Sequence, residues 1–184
     1  MATSSRYGGT LAPCDDSAPC EVGTRTGFRI KTRIGPSSIS AAGLGRFAEE
    51  AVAKGTVIRQ QLIGSPNLLA FQSALDLRTA FPLPQDLAML ADFTFCTTEL
   101  PGVVLLDSPP TMVNHASGTR GANTVFRFID GKVKEVVATS DIAPGDELLQ
   151  DYRAIGQVDW LEQLLAGAEL QSARQLGAEL GDEG

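Results

Sequence analysis

A succession of short strand-like patterns separated by tight turns constrains the fold of this chain more than any other feature. From Phe28 to Ile34, apolar residues alternate with basic ones, which is the period of a strand with one buried face. Asp130-Gly131 separates two further runs and predicts a hairpin turn, because both residue types tolerate positive φ. The remaining predicted strands are Leu44 to Phe47, Val57 to Leu62, Val103 to Leu106, Val125 to Ile129 and Val133 to Thr139. Together they predict a mostly β fold of the α+β class, with short helices and small sheets.

Composition divides the chain into three segments. Residues 1–24 are rich in Ser, Thr, Gly and Pro and lack apolar periodicity, so we expect an N-terminal tail or a loosely docked arm. Residues 25–155 form the predicted main domain, in which about 61–102 is an insert with a short helix near Asp86. Residues 156–184 predict a C-terminal amphipathic helix, capped by Asp159 and carrying Trp160 on its apolar stripe.

The charge balance restricts the partners that this chain can have. The 15 Lys and Arg residues against 22 Asp and Glu residues give a formal net charge of −7, which repels phosphate backbones and anionic lipid headgroups. We therefore expect no direct nucleic-acid binding and no membrane partner, and instead a basic protein or peptide substrate. A homodimer through the C-terminal helix is a further expectation, because its apolar stripe must be covered by its own chain or by a second copy.

The cysteines and the single histidine exclude several kinds of site. Three cysteines, Cys14, Cys20 and Cys96, form an odd and sparse set, which argues against a disulfide framework and favours an intracellular, reducing compartment, cytoplasmic or nuclear. No signal-like segment opens the chain. The spacing of Cys14 and Cys20 is too wide for the usual zinc pair, and no second pair completes four ligands. We expect no metal site.

Three separated motifs carry the glycine and polar residues that a reaction centre needs. Gly43-Leu44-Gly45 offers a backbone without Cβ obstruction, although such a glycine pair is also the ordinary composition of a turn. Asn114-His115 contains the only histidine, and its side chains can read a heterocycle or simply satisfy buried partners. Tyr152 ends the run GDELLQDY, and its hydroxyl can act at a site or only be hydrogen-bonded at a strand end.

The order, spacing and wording of these motifs resemble those of SET-domain protein-lysine methyltransferases. In that family a Gly-x-Gly motif, an Asn-His motif and a Glu-Leu-x-x-Asp-Tyr motif follow one another, as residues 43–45, 114–115 and 147–152 do here. The resemblance covers about residues 26–155. It implies a β-clip-like fold of small curved sheets, with a C-terminal helix and a pseudoknot in which the Asn-His segment and the final motif cross.

The resemblance also implies an activity and a set of site residues. The reaction would transfer a methyl group from S-adenosylmethionine to the ε-amine of a lysine in a histone or non-histone protein. Residues 43–45 would receive the methionine portion of the cofactor, and Asn114 and His115 would hold its amino and adenine groups. Tyr152 would be the catalytic residue and would also line the cofactor at the point of transfer.

Several positions depart from the family pattern and keep other functions open. The tyrosine usual in the insert is missing, which leaves Phe93 and Phe95 as the residues expected to line the substrate channel. The second asparagine appears as Asn123, after an expanded loop at 116–122. Trp160 would stack on the adenine or pack in the core beneath the terminal helix. The alternatives are a catalytically silent SET-like protein-binding module and a SET-type enzyme that methylates a small amine.

Overall fold

The computed structural model describes residues 26–39, 42–108, 111–116, 121–172 and 175, and β-strands dominate these ranges. The strands are β1 Thr32–Pro36, β2 Leu44–Ala48, β3 Val57–Leu62, β4 Leu68–Phe71, β5 Thr94–Cys96, β6 Val104–Asp107, β7 Asn114–His115, β8 Thr124–Ile129, β9 Val133–Ala138 and β10 Leu149–Gln150. The helices are α1 Ala74–Ala80, α2 Asp86–Phe93 and α3 Asp159–Ala166, with a 3-10 turn at Tyr152–Ala154. The mostly β prediction is confirmed.

The strands form three small sheets that place the sequence motifs near one another. Strands β1 and β2 make an antiparallel hairpin, and β4, β6 and β5 make a three-stranded antiparallel sheet from the insert. The largest sheet has five strands in the order β3-β9-β8-β10-β7. Its β8–β9 hairpin turns at Asp130-Gly131, where φ is 51° and 62°, so the predicted positive-φ turn is confirmed.

The arrangement of β7, β8 and β10 brings the last motif beside the Asn-His motif. Strand β10 lies between β7 and β8 and runs parallel to both. Strands β7 and β8, which follow one another in the chain, are therefore separated in the sheet by β10. Residues 117–120 of the β7–β8 connection lie outside the described ranges, and the pseudoknot itself stays a prediction.

Two predicted boundaries are wrong for local reasons. The run from Phe28 to Ile34 is not one strand, because the N–H of Arg29 donates to the carbonyl of Ile58 and the first part of the run follows β3 instead of β2. Asp159 is the first residue of α3 rather than its cap, which is Val158. Asp159 still stabilises the helix from its first turn, where a carboxylate complements the helix dipole.

Three clusters of buried apolar side chains hold these elements together. The first joins the insert to α3 and contains Leu90, Leu161 and Leu165; the second lies between β2, β3 and β9; the third lies under β4, β5 and β6. Because Leu161 and Leu165 are buried within this one chain, α3 has its apolar stripe covered without a second copy. Dimerisation through α3 stays a prediction.

No helix in the described ranges is long and apolar enough to cross a membrane.

Leu90→Ala should test the first cluster. Leu90 is fully buried, so truncation leaves a cavity, and we expect the free energy of unfolding to fall by about 2–5 kcal/mol. Leu75→Ala is the matched control, because the Leu75 side chain is 75% exposed on α1, and its effect should stay within about 0.5 kcal/mol. Urea denaturation of both variants measures the difference. Equal losses would show that α2 is not packed as described.

Candidate active site

The carboxylate of Glu147 joins the three sequence motifs. Its Oε1 accepts from Asn114 Nδ2 at 2.9 Å and from Ser37 Oγ at 2.7 Å, and its Oε2 accepts from the Ser38 backbone N–H at 2.8 Å and from the Ser38 hydroxyl. Asn114 Nδ2 also lies 3.0 Å from the carbonyl of Leu44. The first, second and third motifs therefore meet at one buried carboxylate, whose structural role the sequence does not indicate.

The carboxylate of Glu147 leaves no space for a side chain at Gly45. A Cβ built on Gly45 would lie 2.0 Å from Glu147 Oε1 and 3.3 Å from Asn114 Nδ2. A side chain at position 45 would therefore have to displace the carboxylate of Glu147. The cofactor-binding role of the Gly45 backbone stays a prediction. At Gly43 a Cβ would meet nothing within 4 Å, and φ is +74°, so that glycine serves the turn.

Asn123 fastens the last motif to the sheet. Its Nδ2 donates to the carbonyl of Glu147 at 2.8 Å, and its Oδ1 accepts from the Leu149 N–H at 2.8 Å. One side chain thereby bonds both sides of the 147–149 backbone. Asn123, which follows the longer loop at 116–122, therefore fixes the backbone of the segment that leads to Tyr152.

His115 positions the backbone of Tyr152. The imidazole is 6% exposed, and its Nδ1 accepts from the Tyr152 N–H at 3.0 Å, so the proton of the neutral ring lies on Nε2. Burial lowers the pKa of His115, against the opposing effect of Asp151, whose Oδ1 is 4.0 Å from Nδ1. A neutral ring at pH 7 keeps the lone pair that this hydrogen bond needs.

Tyr152 has its hydroxyl turned toward the strand that carries Asn-His. The Tyr152 hydroxyl donates to the carbonyl of Val113 at 2.7 Å, and the phenol ring lies 5.3 Å from the imidazole of His115. The ring packs against the third apolar cluster, which contains Phe95. Burial raises the pKa of Tyr152, and the negative charges of Asp92 and Asp107 raise it further. The residue is therefore a hydrogen-bonding phenol rather than a phenolate base.

The other predicted site residues lie in two different clusters. Phe95 is buried in the same cluster on which Tyr152 packs, whereas Phe93 and Trp160 pack against the first cluster, beside α3. Trp160 Nε1 donates to the carbonyl of Gly102 at 3.2 Å. The structure therefore groups Phe95 with Tyr152 and separates Phe93 from Phe95. A role for Trp160 in stacking on adenine stays a prediction.

A buried charged group beside Phe95 was not found by sequence reasoning. Lys134 Nζ lies 4.0 Å from the centre of the Phe95 ring and 2.8 Å from Asp107 Oδ2, while Arg59 Nη1 lies 2.7 Å from Asp107 Oδ1. Burial lowers the pKa of Lys134 to about 8, against the opposing effect of Asp107. The only signal in the sequence was a lysine and an arginine within predicted strands, Lys134 in β9 and Arg59 in β3.

Metal-ligating side chains do not gather in the described part of the chain: no group of three or more His, Cys, Asp or Glu residues there could hold a metal ion. Cys96 is buried in the first cluster, and burial together with the charge of Glu162 raises the pKa of its thiol to about 12. Cys14 and Cys20 lie outside the described residues.

Comparisons with known proteins show a shared fold. No protein-family model and no curated protein matches the sequence. Among solved structures, the chain is similar to apo Chaetomium thermophilum Polycomb Repressive Complex 2 in an autoinhibited state, with 19% identity, TM-score 0.52, and coverage of 75% of this chain and 17% of that one. It is also similar to a humanized mutant of that complex bound to an inhibitor, with 20% identity, TM-score 0.50 and coverage of 74% and 16%.

These matched chains are far longer than this one, which spans about one sixth of their length. At 19–20% identity the likeness shows the fold and nothing more. Together with the observed sheets, it confirms the predicted SET-like fold: mostly β, with small open sheets and short helices.

Gly45→Ala tests the space that Glu147 occupies. Because the new Cβ would overlap Glu147 Oε1 at 2.0 Å, we expect a loss of about 1–3 kcal/mol in the free energy of unfolding. Gly121→Ala is the control, since a Cβ there meets nothing within 4 Å. Urea denaturation should show little change for the control, and a neutral Gly45→Ala would contradict the described packing.

Glu147 should also give the stability a defined acid dependence. Burial alone would raise the pKa of Glu147, but hydrogen bonds from Ser38, Ser37 and Asn114 outweigh it and lower the pKa below its usual 4.5. A lowered folded-state pKa means that this stabilisation is complete above about pH 4.5 and is lost as the pH falls through the folded-state value. Glu147→Gln should therefore flatten the acid limb of the stability curve and cost about 1–3 kcal/mol at pH 7.

Chemical denaturation between pH 3 and pH 7 measures both effects of Glu147→Gln. The control is Glu49→Gln, because Glu49 is exposed, and its curve should follow that of the unmodified protein. An acid limb that keeps its slope in Glu147→Gln would show that the carboxylate is not held as described.

Proposed function

We propose that this chain is an S-adenosylmethionine-dependent methyltransferase that acts on the ε-amine of a lysine in a basic protein or peptide. The observation that carries the proposal is the meeting of the three motifs at Glu147, with Tyr152 fastened beside them by His115. The order of the three motifs along the chain does not by itself show that they form one site. Convergence of the three motifs on neighbouring side chains supports a single reaction centre.

The surroundings of the first motif fit the methionine portion of the cofactor. Leu44 is a large apolar residue that is 49% exposed, and a Cβ on the adjacent Gly43 would meet only open space. Leu44 would lie under the cofactor, with Asn114 and His115 beside it from β7. Such a ligand would cover an apolar surface that the chain leaves to solvent.

When bound, S-adenosylmethionine would supply a methyl group that its sulfonium already makes electrophilic. The chain's own residues then have to align the acceptor amine and exclude water, and they need supply neither a metal nor a strong base. Tyr152, with a neutral hydroxyl held at Val113, would orient the amine. Desolvation against Phe95 would favour the neutral amine, as it does for Lys134, whose pKa burial lowers to about 8.

One observation favours a second candidate, a catalytically silent SET-like module that binds a protein partner. The ring of Phe95, expected to line the substrate channel, already carries the ammonium group of Lys134 at 4.0 Å from its centre. Asp107 holds that ammonium group in place at 2.8 Å. A substrate lysine would have to approach Tyr152 from another side of Phe95. If no such approach exists, the substrate cannot enter the site.

Calorimetric titration with S-adenosylmethionine tests the cofactor, and transfer of a labelled methyl group to a library of basic lysine-containing peptides tests the reaction. Heat together with transfer supports the methyltransferase. Heat without transfer to any peptide or small amine supports the silent module. If millimolar cofactor produces no heat of binding and no thermal shift, the proposal is overturned.

Tyr152→Phe should separate binding from turnover. The variant keeps the ring and the backbone N–H that His115 accepts from, but it removes the hydroxyl at Val113. We expect unchanged cofactor affinity and a fall in turnover of about 100-fold. Tyr7→Phe removes the chain's other tyrosine hydroxyl and is the control. Equal turnover in Tyr152→Phe and the unmodified protein would remove Tyr152 from the chemistry.

A further inference from the structure

A small cavity lies inside the domain, between the five-stranded sheet and the segment that leads into β7. Its volume is about 20 Å³, and its lining includes Phe28, Arg59, Asp107, Lys134 and Val113. One water molecule needs roughly 10–15 Å³ of such volume. The cavity therefore has room for one guest of about the size of a single atom.

The charges around this cavity do not balance. Asp107 accepts from Arg59 Nη1 at 2.7 Å and from Lys134 Nζ at 2.8 Å, so one carboxylate faces two cations. The side chains of all three are at least nine-tenths buried, at 1%, 9% and 5% exposure for Arg59, Asp107 and Lys134. The group carries a net charge of +1 when Lys134 is protonated. A buried net charge of this kind is unfavourable unless a counter-charge reaches it.

Arg59 also has a donor that the protein does not use. Its Nε donates to the carbonyl of Thr26 and its Nη1 to Asp107, but its buried Nη2 has no hydrogen-bond partner among the described residues. Arginine cannot relieve this by losing a proton. A third cation lies nearby, because Arg46 and Arg59 both lie over the ring of Phe28, at 4.6 Å and 5.1 Å from its centre. The rest of the lining is apolar or neutral and polar, such as Thr111, Thr124 and Gln150.

We propose that this cavity binds one monatomic anion, of the chloride class, which accepts from Arg59 Nη2 and balances the charge of the Arg59–Asp107–Lys134 group. Volume and charge select the guest together. Among anions, the small size of the cavity favours a single atom over sulfate or phosphate, and a water molecule in the same place would bring no charge. The proposal concerns the folded domain itself and is independent of the methyltransferase activity.

Crystals of the full chain soaked in sodium bromide test the site directly, because bromide replaces chloride and scatters anomalously. The expected result is one anomalous peak in the cavity, within hydrogen-bond distance of Arg59 Nη2. A water molecule in the cavity with no anomalous signal, or bromide bound only at the surface, would overturn the proposal.

Thermal unfolding gives an independent measurement in solution. At constant ionic strength and pH 7, replacing gluconate by chloride or bromide should raise Tm by about 2–4 °C in a saturating manner, because a ligand that binds only the folded state stabilises it. Sulfate should give no saturating rise of this kind. Equal Tm values in chloride and gluconate would overturn the proposal.

A pair of lysine variants localises the effect. Lys134→Met leaves a neutral Arg59–Asp107 pair, so its Tm should no longer respond to chloride and its bromide peak should be lost. Lys132→Met makes the same change of charge at an exposed position of the same hairpin, and it should keep the response. If Lys134→Met does not fold, the bromide experiment on the unmodified chain still decides. If the chloride response disappears equally in Lys132→Met, the anion does not bind in this cavity and the proposal is overturned.

Discussion

The buried carboxylate of Glu147 is the interaction on which the candidate site depends. A buried charge is tolerated only where donors surround it, and here those donors come from the β1–β2 connection and from Asn114 at the start of β7. The same requirement explains why Gly45 has no side chain, since any Cβ would enter the space of the carboxylate. One charge thus determines residues in all three motifs. Loss of any donor would leave the carboxylate incompletely satisfied and would loosen the segment that carries Tyr152.

A second buried group, around Asp107, uses charge in a different way. Glu147 is an anion held by neutral donors, whereas Asp107 is an anion held between two cations. The first arrangement lowers a carboxyl pKa by hydrogen bonding, and the second places excess positive charge inside a chain whose formal net charge is −7. The two groups are linked through neighbouring residues, because Asn114 binds Glu147 and the preceding Val113 lines the cavity beside Asp107. The candidate site is therefore bordered by two polar cores rather than by a continuous apolar one.

Sequence reasoning found the strands and the motifs but not these cores. Short runs rich in β-branched and apolar residues located β3, β8 and β9, and Asp130-Gly131 marked the turn between β8 and β9. Alternation from Phe28 to Ile34 predicted one strand, whereas β1 begins only at Thr32. The insert was less legible, since β4, α1 and β5 are each no longer than seven residues and tertiary pairing decides such short segments. The motif order predicted which segments would meet, but the partners of the Glu147 and Asp107 carboxylates lie 27 to 110 positions away. No local sequence pattern predicts a hydrogen bond between residues so far apart in the chain.

That separation also has a consequence for how the protein forms. Contacts between distant parts of a chain are closed late and slowly, because the intervening loop must first lose its entropy. Ser37 and Glu147 are 110 positions apart, so during synthesis the β1–β2 hairpin must wait for most of the domain to leave the ribosome before its hydroxyl groups find their acceptor. Until then Ser37, Ser38 and Asn114 are solvated by water. The candidate site would therefore be completed late in folding, and truncated chains that end before Glu147 should lack it even where the β1–β2 hairpin and the β4-β6-β5 sheet have formed.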